Sequence, residues 1–499
     1  SNLKRPRDNQ EPQATEKKRQ KTSAAPQLPP LSPDETKKLL REHKIKVKWL
    51  NAGKKELEYP TPLRTFGELR DHGIARKLVS NVEDQGFSQP SDVQMVALPL
   101  LLKHPTRNLL TVAPTGSGKT LAFMLPLIHQ LSHSQLTPTT KAVVLAPTKE
   151  LVGQIVNESQ RWAAGTSVRI SQVRKGMKLP GEEGATVKSH ILISTPGILW
   201  SMLEQNDNIT LSTVEHLVLD EGDILLDRLF RDQTVAIWNR LPSSIQVSLW
   251  SATMGSNIEE LVQTKLDQPV MRLVVGIKGS AVANVEHRLI YAATERGKLM
   301  GLRQLLHPLG QTNSLPPLPY LVFTQTIERA AALHSELRYD IPPEAGGSRR
   351  LAVLHAELSS TAREDVMKRF RAAEIWVLIT TDILARGMDF RGVNAVVNYD
   401  IPTSGAAYVH RVGRTGRAGR SGVAITLCAK EDLDVLKPLV QIAGKEEWLK
   451  ALPKPDKRTK EKLKKHGLEG RNKRISTKSG YERKVENKKK GYLSKKRKD

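Results

Sequence analysis

The sequence contains one cysteine, no long apolar run and few aromatic residues. Cys428 cannot form an internal disulfide, and no group of Cys and His residues has zinc-ligand spacing, so we expect a reducing intracellular compartment. Cys428 lies in an apolar run, which predicts a buried strand residue and not a reactive thiol. No run of about eighteen apolar residues is present, and the N-terminal segment is polar and basic, so we predict neither a membrane helix nor a signal peptide.

Acidic residues are in the minority, because 52 Asp and Glu stand against 78 Lys and Arg and the net charge is +26. Such a charge predicts a polyanionic partner or an acidic membrane surface. Most of the excess lies at the ends: residues 453–499 carry about twenty basic and about six acidic residues, and residues 1–50 about thirteen and six. These ends are either solubilising tails, or they contact nucleic acid and direct the chain to the nucleus through basic clusters at 17–19 and 495–498.

The apolar pattern indicates the α/β class with two parallel sheets. At 499 residues the chain exceeds the length at which one core stops growing, so we expect two domains. Short runs rich in Val, Ile and Leu alternate with amphipathic helical stretches, as in βαβ units. The strands predicted for the first domain are 108–113, 142–146, 191–194, 216–219 and 247–251. Those predicted for the second are 288–292, 320–324, 351–354, 375–380, 395–398 and 423–427.

Composition divides the chain into six segments. Small residues without strong periodicity at 276–285 indicate an interdomain linker. The segments are a basic extension at 1–60, a first domain at 61–275, the linker at 276–285, a second domain at 286–432, a helical extension at 433–452 and a basic tail at 453–499. The polar, basic extensions at the two ends are expected to be disordered.

A loop with two glycines follows the first predicted strand. It comprises Ala113, Pro114, Thr115, Gly116, Ser117, Gly118, Lys119 and Thr120, and a helical pattern comes next. Gly116 and Gly118 let backbone amides face phosphate oxygens, and the helix N-terminus adds a favourable dipole. Lys119 would neutralise the β- and γ-phosphates and Thr120 would ligate Mg²⁺, so the sequence predicts an ATP site.

Acidic residues end another predicted strand, at Asp220, Glu221 and Asp223. We assign Asp220 to the Mg²⁺ ion, partly through its hydration shell, and Glu221 to orienting and deprotonating the attacking water. Acidic residues at a strand end are often only solvated caps. The phosphate loop elsewhere in the same predicted domain favours the catalytic interpretation.

Residues 408–420 interleave arginines with glycines, with Arg411, Arg414, Arg417 and Arg420 three residues apart. Unpaired buried guanidinium groups are too costly for a core, so we predict that this segment lies outside the core. Arginines three apart repeat on one helical face, from which a pair could reach a transferring phosphoryl group. The alternative is a basic patch that only contacts RNA.

Together and in this order, these elements resemble the DEAD-box family of RNA helicases over roughly residues 60–430. The resemblance implies two RecA-like domains that bind ATP and Mg²⁺ and grip one RNA strand, with a monomeric core and no membrane association. The implied catalytic residues are Glu221, Asp220, Lys119, and the arginine fingers Arg414 and Arg417. Further nucleotide contacts are implied at Phe66, Gln94, Gly387 and Asp389, and coupling of hydrolysis to domain closure at Asp223, Ser251, Thr253 and His410. The implied RNA contacts are Pro147, Thr148, Lys149, Thr195, Pro196, Gly197, Thr324, Gln325, Arg363, Thr381 and Arg386.

The chain departs from the family pattern at four positions. Gly222 stands within the acidic motif, where it keeps both catalytic carboxylates and removes only a methyl group. Restoring Ala at that position is therefore expected to change ATPase activity by less than about tenfold. Ile198 replaces the usual arginine, Lys175 stands in a common Gly-Gly pair, and Ser360 replaces the usual glutamine. These last three weaken the RNA grip that the resemblance implies.

Within the family, four segments resemble the Rok-type helicases of fungal small-subunit ribosome assembly. They are 43–48, 175–177, 226–234 and 341–347. This resemblance implies a protein of the nucleus and nucleolus that acts on pre-ribosomal RNA in 18S rRNA processing, with ribosome-assembly proteins as partners.

Two other functions are possible for a chain with this organisation. A non-catalytic RNA-binding scaffold would be expected to have lost Lys119, Glu221 or Arg417, and all three are present. A DNA translocase could share the two-domain plan, but the segment around Gln94 together with the acidic motif favours RNA. With seven Phe, eight Tyr and seven Trp, few platforms exist for base stacking, so we expect RNA to be held by its backbone with weak sequence preference.

Overall fold

The computed structural model describes residues 29, 31–50, 60–133, 139–180, 182–183, 188–266, 269–276, 285–306, 316–382, 390, 392–416, 421–445 and 447–448. The candidate site residues Arg386, Gly387, Asp389 and Arg417 lie outside these ranges, as do the basic tail and most of the predicted linker. In the described part of the chain, every helix is too short or too polar to traverse a bilayer.

The first domain is built on an eight-stranded sheet. Its strands are β1 (Ile45–Leu50), β2 (Asn108–Val112), β3 (Ala142–Leu145), β4 (Ile170–Gln172), β5 (Ile191–Ser194), β6 (His216–Asp220), β7 (Gln246–Ser251) and β8 (Val270–Val275). They follow the order β1-β8-β2-β7-β6-β3-β5-β4, and every pair is parallel except β1 with β8. A parallel order with crossovers requires helices on both faces, as the sequence predicts.

The second domain is built on a six-stranded parallel sheet. Its strands are β9 (Val285–Ala293), β10 (Tyr320–Thr324), β11 (Leu351–Leu354), β12 (Val377–Thr381), β13 (Ala395–Asn398) and β14 (Gly422–Ala429). They follow the order β11-β12-β10-β13-β14-β9. Cys428 is buried in β14, as predicted.

Helices flank both sheets. In the first domain they are α1 (Pro33–Glu42), α2 (Arg76–Glu83), α3 (Asp92–Lys103), α4 (Lys119–His133), α5 (Lys149–Trp162), α6 (Pro196–Gln205), α7 (Gly222–Leu225), α8 (Arg231–Asn239) and α9 (Ser256–Lys265). In the second they are α10 (Glu295–Leu306), α11 (Ile327–Leu337), α12 (Ser360–Arg371), α13 (Gly405–Val412) and α14 (Leu433–Ala443).

Strand β3 shows why each sheet is covered on both faces. Its four residues are fully buried, and alternate side chains enter different apolar clusters. Ala142 and Val144 belong to one cluster, and Val143 and Leu145 to the other. A strand with two buried faces must be apolar throughout, which is why such strands could be read from sequence.

Residues 33–50, which the sequence analysis placed in the N-terminal extension, form α1 and β1. Ser32 caps α1, and β1 pairs with β8 at the edge of the first sheet, with Ile45 opposite Val275. The ring Nδ1 of His43 lies 2.7 Å from a carboxylate oxygen of Asp92 at the start of α3. This part of the basic extension therefore belongs structurally to the first domain.

Candidate active site

The loop from Ala113 to Gly118 connects β2 to α4 in a shape that requires glycine. Gly116 and Gly118 have φ angles of 75° and 84°, which L side chains rarely adopt. A Cβ atom on Gly118 would also lie 2.3 Å from the Gln94 amide nitrogen. Lys119 is buried, and its ammonium donates to the carbonyls of Ala113 at 3.1 Å and Pro114 at 3.3 Å. The loop is thus tightly held around a charged side chain.

The start of α3 fixes this loop from the other side. The Gln94 amide donates to the Gly118 carbonyl at 3.0 Å, and its carbonyl oxygen accepts from the Ser91 backbone amide at 3.0 Å. The Ser91 hydroxyl donates to the Ser117 carbonyl at 2.6 Å. Gln94 therefore positions the phosphate loop as well as lining the cavity beside it.

A cavity of 740 Å³ opens between the two domains, at the carboxyl ends of β2 and β6 in the first domain and at the amino ends of β13 and β14 in the second. The first domain contributes Thr115, Gly116, Gly118, Lys119, Thr120, Asp220 and Glu221 to its wall, and the second contributes Gly392, Asn394, Arg414 and Thr415. Ligands of open α/β sheets bind at the carboxyl ends of the strands, so the cavity has the expected location on the first domain.

Phe66, predicted to contact the nucleotide, is 1% exposed and is absent from the cavity wall. It packs edge-on against Phe87, with ring centroids 6.5 Å apart, and Phe87 does line the cavity together with Trp162. Phe66 therefore supports the lining aromatic from behind. Gly86-Phe87 belongs to the segment before Gln94 that resembles the adenine-reading motif of the family, but the nucleotide contact was assigned to Phe66 and Gln94 and not to Phe87.

The acidic motif has an unusual backbone. Glu221 follows β6 in the left-handed region, with φ 53° and ψ 51°, which is uncommon for a residue other than glycine. Its amide donates to an Asp220 carboxylate oxygen at 3.0 Å. Burial, and then the negative charge of Glu221, raise the pKa of Asp220 to about 7, although Lys119 opposes this. A cation bound beside Asp220 would favour its ionised form.

Asp223 connects the acidic motif to the second domain. Its carboxylate lies 2.8 Å from Nε2 of His410 on α13 and accepts from the Thr253 hydroxyl at 2.5 Å. The Ser251 hydroxyl accepts from the Asp223 amide at 3.3 Å. Burial works to raise the pKa of Asp223, but the charge and hydrogen bond of His410, together with Thr253 and Ser251, hold it below its ordinary value. The structure thus brings all four predicted coupling residues together.

The arginine segment differs from the prediction that it would lie outside the core and share one helical face. Helix α13 ends at Val412, so Arg414 follows it, and Arg411 and Arg414 are 1% and 3% exposed. The Arg411 guanidinium donates to both carboxylate oxygens of Asp382, at 2.5 Å and 2.8 Å, and to the Asp400 carbonyl at 2.6 Å. The prediction was wrong because it assumed unpaired guanidinium groups, whereas Asp382 neutralises Arg411.

The described residues predicted to contact RNA lie at or just after the carboxyl ends of β3, β5, β10 and β12, except Arg363, which lies on α12 after β11. Thr148, Thr195, Thr324 and Thr381 are all at most 9% exposed. The Thr148 hydroxyl caps α5, and the Gln325 amide nitrogen of the side chain donates to the Ile401 carbonyl at 3.2 Å. Pro147 and Pro196 are buried, Gly197 is half-buried and Lys149 is exposed.

Arg363 of α12 reaches across to the first domain. Its Nε lies 3.2 Å from a carboxylate oxygen of Glu150, at the start of α5. Lys149 and Arg363 both line a second cavity, of 1130 Å³, between the domains. The structure therefore brings these two predicted RNA contacts to one cleft, while Arg386 lies outside the described residues.

Comparison with known families agrees with this arrangement. Residues 91–261 match the family model of the DEAD/DEAH box helicase, and residues 298–419 match that of the helicase conserved C-terminal domain. This chain is a DEAD-box helicase. An ATP-dependent RNA helicase rok1 from Aspergillus niger is 46% identical, over 87% of this chain and 72% of that protein. ATP-dependent RNA helicase ROK1 from Gibberella zeae is 43% identical, over 94% and 83% of the two chains.

The helicase also resembles solved structures of the family. Dbp5 of S. cerevisiae, bound to RNA and ADP BeF3, is 27% identical and aligns with a TM-score of 0.64, over 80% of this chain and 99% of that one. The two parallel-sheet domains are therefore RecA-like, as the sequence resemblance implies. By family the helicase binds ATP and RNA, and it is an RNA-dependent ATPase.

Removing the His410 side chain from the helicase should weaken communication between the domains. Because a hydrogen bond to a charged group contributes about 1.5–3 kcal/mol, we expect His410→Ala to lower RNA-stimulated ATPase activity by about tenfold or more. His410→Gln keeps a side-chain amide donor and should recover part of that loss. Steady-state ATPase assays with and without RNA measure both variants. Equal RNA stimulation in wild type and His410→Ala would contradict a coupling role.

Proposed function

We propose that this helicase hydrolyses Mg²⁺-ATP between its domains to separate short RNA duplexes or remodel RNA–protein contacts during 18S pre-rRNA processing and small-subunit assembly. The observation that carries the enzymatic part is that one cavity is lined by Lys119 and Glu221 of the first domain and Arg414 of the second. Nucleotide bound there contacts both domains, so its hydrolysis changes how strongly they are held together.

The donors beside the phosphate loop suit Mg²⁺. Asp220 and Glu221 offer buried carboxylates and Thr120 a hydroxyl, and hard oxygen donors of this kind are what Mg²⁺ prefers. Among the described residues, one Glu221 carboxylate oxygen (Oε2) has no hydrogen-bond partner. We assign Thr120 and Asp220 to the ion, partly through water. The ion would neutralise charge on the β- and γ-phosphate oxygens.

The remaining catalytic work falls to this chain's own side chains. Glu221 accepts the proton of the attacking water, and its backbone is already held in place because its amide N–H donates a hydrogen bond to the Asp220 carboxylate. Lys119 supplies positive charge from the first domain and Arg414 from the second, each buried where the local dielectric is low. Arg417 would add a second guanidinium from the same segment.

Contacts between the two domains couple ATP hydrolysis to RNA binding in this proposal. Asp223 and His410 join them on the nucleotide side, and Glu150 and Arg363 on the side of the larger cavity. Helix α5 borders both sides, because Gln154 and Glu158 line both cavities. We infer that RNA and ATP favour the same closed arrangement, so that loss of the γ-phosphate weakens the hold on RNA.

The ribosomal role rests on similarity. The chain is 46% identical to a protein named ATP-dependent RNA helicase rok1, and segments such as 226–234 resemble the Rok-type helicases. The basic ends fit a polyanionic RNA partner and could direct the chain to the nucleus and nucleolus. Ribosome-assembly proteins are the proposed protein partners.

Crosslinking the tagged helicase to RNA in cells and sequencing the bound fragments tests this role. We expect precursor fragments of the small-subunit rRNA to be enriched over large-subunit rRNA and mRNA, with an untagged strain as the control. Imaging of the tagged chain should show nucleolar enrichment. Fragments spread across mRNAs in proportion to their abundance would overturn the ribosomal assignment while leaving the helicase activity intact.

The basic tail is expected to add RNA affinity without adding catalysis. Residues 453–499 carry about twenty basic residues, so deleting them should weaken RNA binding and flatten its salt dependence, since counterion release scales with the phosphates neutralised. ATPase turnover at saturating RNA should stay close to that of the full chain. RNA affinity measured against salt concentration compares the two. If the plots of RNA affinity against salt concentration superimpose for the full and truncated chains, the tail does not contribute to RNA binding.

A further inference from the structure

The cavity of 1130 Å³ is lined by more cations than the predicted RNA contacts account for. Its walls come from α5, from residues 172–175 at the end of β4 and just after it, from Ile198 and from α12. Six basic side chains line it, against three acidic ones: Lys149, Arg161, Arg174, Lys175, Arg363 and Arg371 against Glu150, Glu158 and Glu364. An excess of cations in a cleft raises the local concentration of a polyanion.

Most of these cations are available to a ligand. Glu150 is already paired with Arg363, and Glu158 accepts from the Gln154 amide at 3.0 Å. Arg161, Arg174, Lys175 and Arg371 are exposed, and none of them forms an ion pair within the described part of the chain. They also stand on both domains, because Arg371 ends α12 whereas the other three belong to the first domain.

Three departures from the family pattern meet in this one cavity. Ile198, Lys175 and Ser360 are far apart in sequence, yet all line it. Ile198 and Ser360 remove a charged and an amide side chain from its wall, whereas Lys175 adds a charge. The polar side chains absent at Ile198 and Ser360 and the charge added at Lys175 therefore affect the wall of the same cavity.

We propose that Arg161, Arg174, Lys175 and Arg371 bind phosphates of the single-stranded RNA backbone in this cavity, in place of the polar contacts absent at Ile198 and Ser360. The proposal rests on the RNA helicase activity that the family establishes. Exposed cations without fixed geometry hold phosphates through charge and do not read bases, so the site adds affinity and no sequence preference. Because the cations stand on both domains, a bound backbone also favours the closed arrangement.

The test uses the full chain with Arg174→Gln and Lys175→Gln combined, and a matched control that removes two first-domain cations elsewhere, Arg240→Gln with Lys265→Gln. Binding of single-stranded RNA is measured across salt concentrations with a non-hydrolysable ATP analogue. For single strands, the slope of log affinity against log salt changes by about 0.7 for each phosphate contact. The slope of the Arg174→Gln, Lys175→Gln variant should therefore be shallower than that of wild type by about 1.4, and the slope of the control should be unchanged. ATPase turnover at saturating RNA should remain within about twofold, while the RNA concentration for half-maximal activity rises by about tenfold.

The outcomes separate this proposal from the activity on which it rests. Arg371→Gln should flatten the slope of log RNA affinity against log salt more with the ATP analogue than without it. Arg371 belongs to the second domain, which the bound analogue holds against the first. If the double variant and the control give the same salt line, the cavity does not bind RNA in this way, even though wild type still does. Unchanged RNA binding with loss of an acidic protein partner would equally overturn it. Wild type without RNA-stimulated ATPase activity would instead refute the helicase function itself.

Discussion

Replacing Glu221 with Gln is expected to lower ATP hydrolysis by about 10²- to 10⁴-fold, the usual contribution of a positioned general base, while ATP and RNA still bind. The amide side chain has the same shape as the carboxylate but cannot accept the proton. The left-handed backbone at residue 221 does not depend on the charge, and the amide contact to Asp220 is made by the main chain. The closed complex should therefore form and fail to turn over.

Two measurements check this expectation. RNA-stimulated ATPase assays give the loss in turnover, and titration with a fluorescent ATP analogue gives the affinity, which should stay within about threefold of wild type. Glu83→Gln, at the exposed end of α2, makes the same chemical change away from the cavity and should behave like wild type. Hydrolysis near the wild-type rate in the Glu221 variant would remove Glu221 from its assigned role.

In this helicase, features set by residues close together in the sequence could be predicted, whereas features set by contacts between distant residues could not. Buried parallel strands such as β3 and β5 are apolar at every position, and each predicted strand has a counterpart in the structure. Strands β1, β4 and β8 were not predicted. Strand β1 alternates lysines with apolar residues at a sheet edge, β4 has only three residues, and β8 is interrupted by Arg272, which pairs with Glu259 at 3.0 Å.

The candidate active site shows the same difference between features set by one continuous segment and features set by contacts between distant residues. The phosphate loop is one continuous segment whose chemistry is visible in its residues, and the structure places it in the cavity. The burial of Arg411 depends on its ion pair with Asp382, 29 residues away. Phe66 supports the cavity wall only because it packs against Phe87, which lies between it and the cavity. Contacts between side chains distant in sequence carry no periodic signal, so pattern analysis could not supply them.

The acidic motif provides the clearest case, and the structure changes what is expected of Gly222. From sequence alone, Gly222→Ala adds one methyl group beside an intact carboxylate pair and should matter little. In the structure, a Cβ atom at residue 222 would lie 2.6 Å and 2.7 Å from Cδ2 and Cγ of Leu249 in β7. Leu249 is 1% exposed, so it has little free space into which to move.

We therefore expect Gly222→Ala to lower ATPase activity by about 10- to 100-fold. Overpacking a close-packed interior costs about 1–3 kcal/mol, and the motif can relieve it by moving Glu221, where a displacement of about 1 Å can cost about 10²-fold in rate. Gly67→Ala is the matched control, because its new Cβ would meet only the Thr65 hydroxyl at an ordinary 3.6 Å. That control should retain wild-type activity.

A double-mutant cycle with Leu249→Ala tests the cause of the Gly222→Ala loss. Leu249→Ala alone should destabilise the fold by about 2–5 kcal/mol through the cavity it leaves, which thermal melting measures. Added to Gly222→Ala, it removes the atoms that the new methyl group would overlap, so the double variant should recover most of the ATPase activity lost by Gly222→Ala alone. Strictly additive losses in the cycle, or a Gly222→Ala variant with wild-type turnover, would mean that Leu249 does not set the position of the acidic motif.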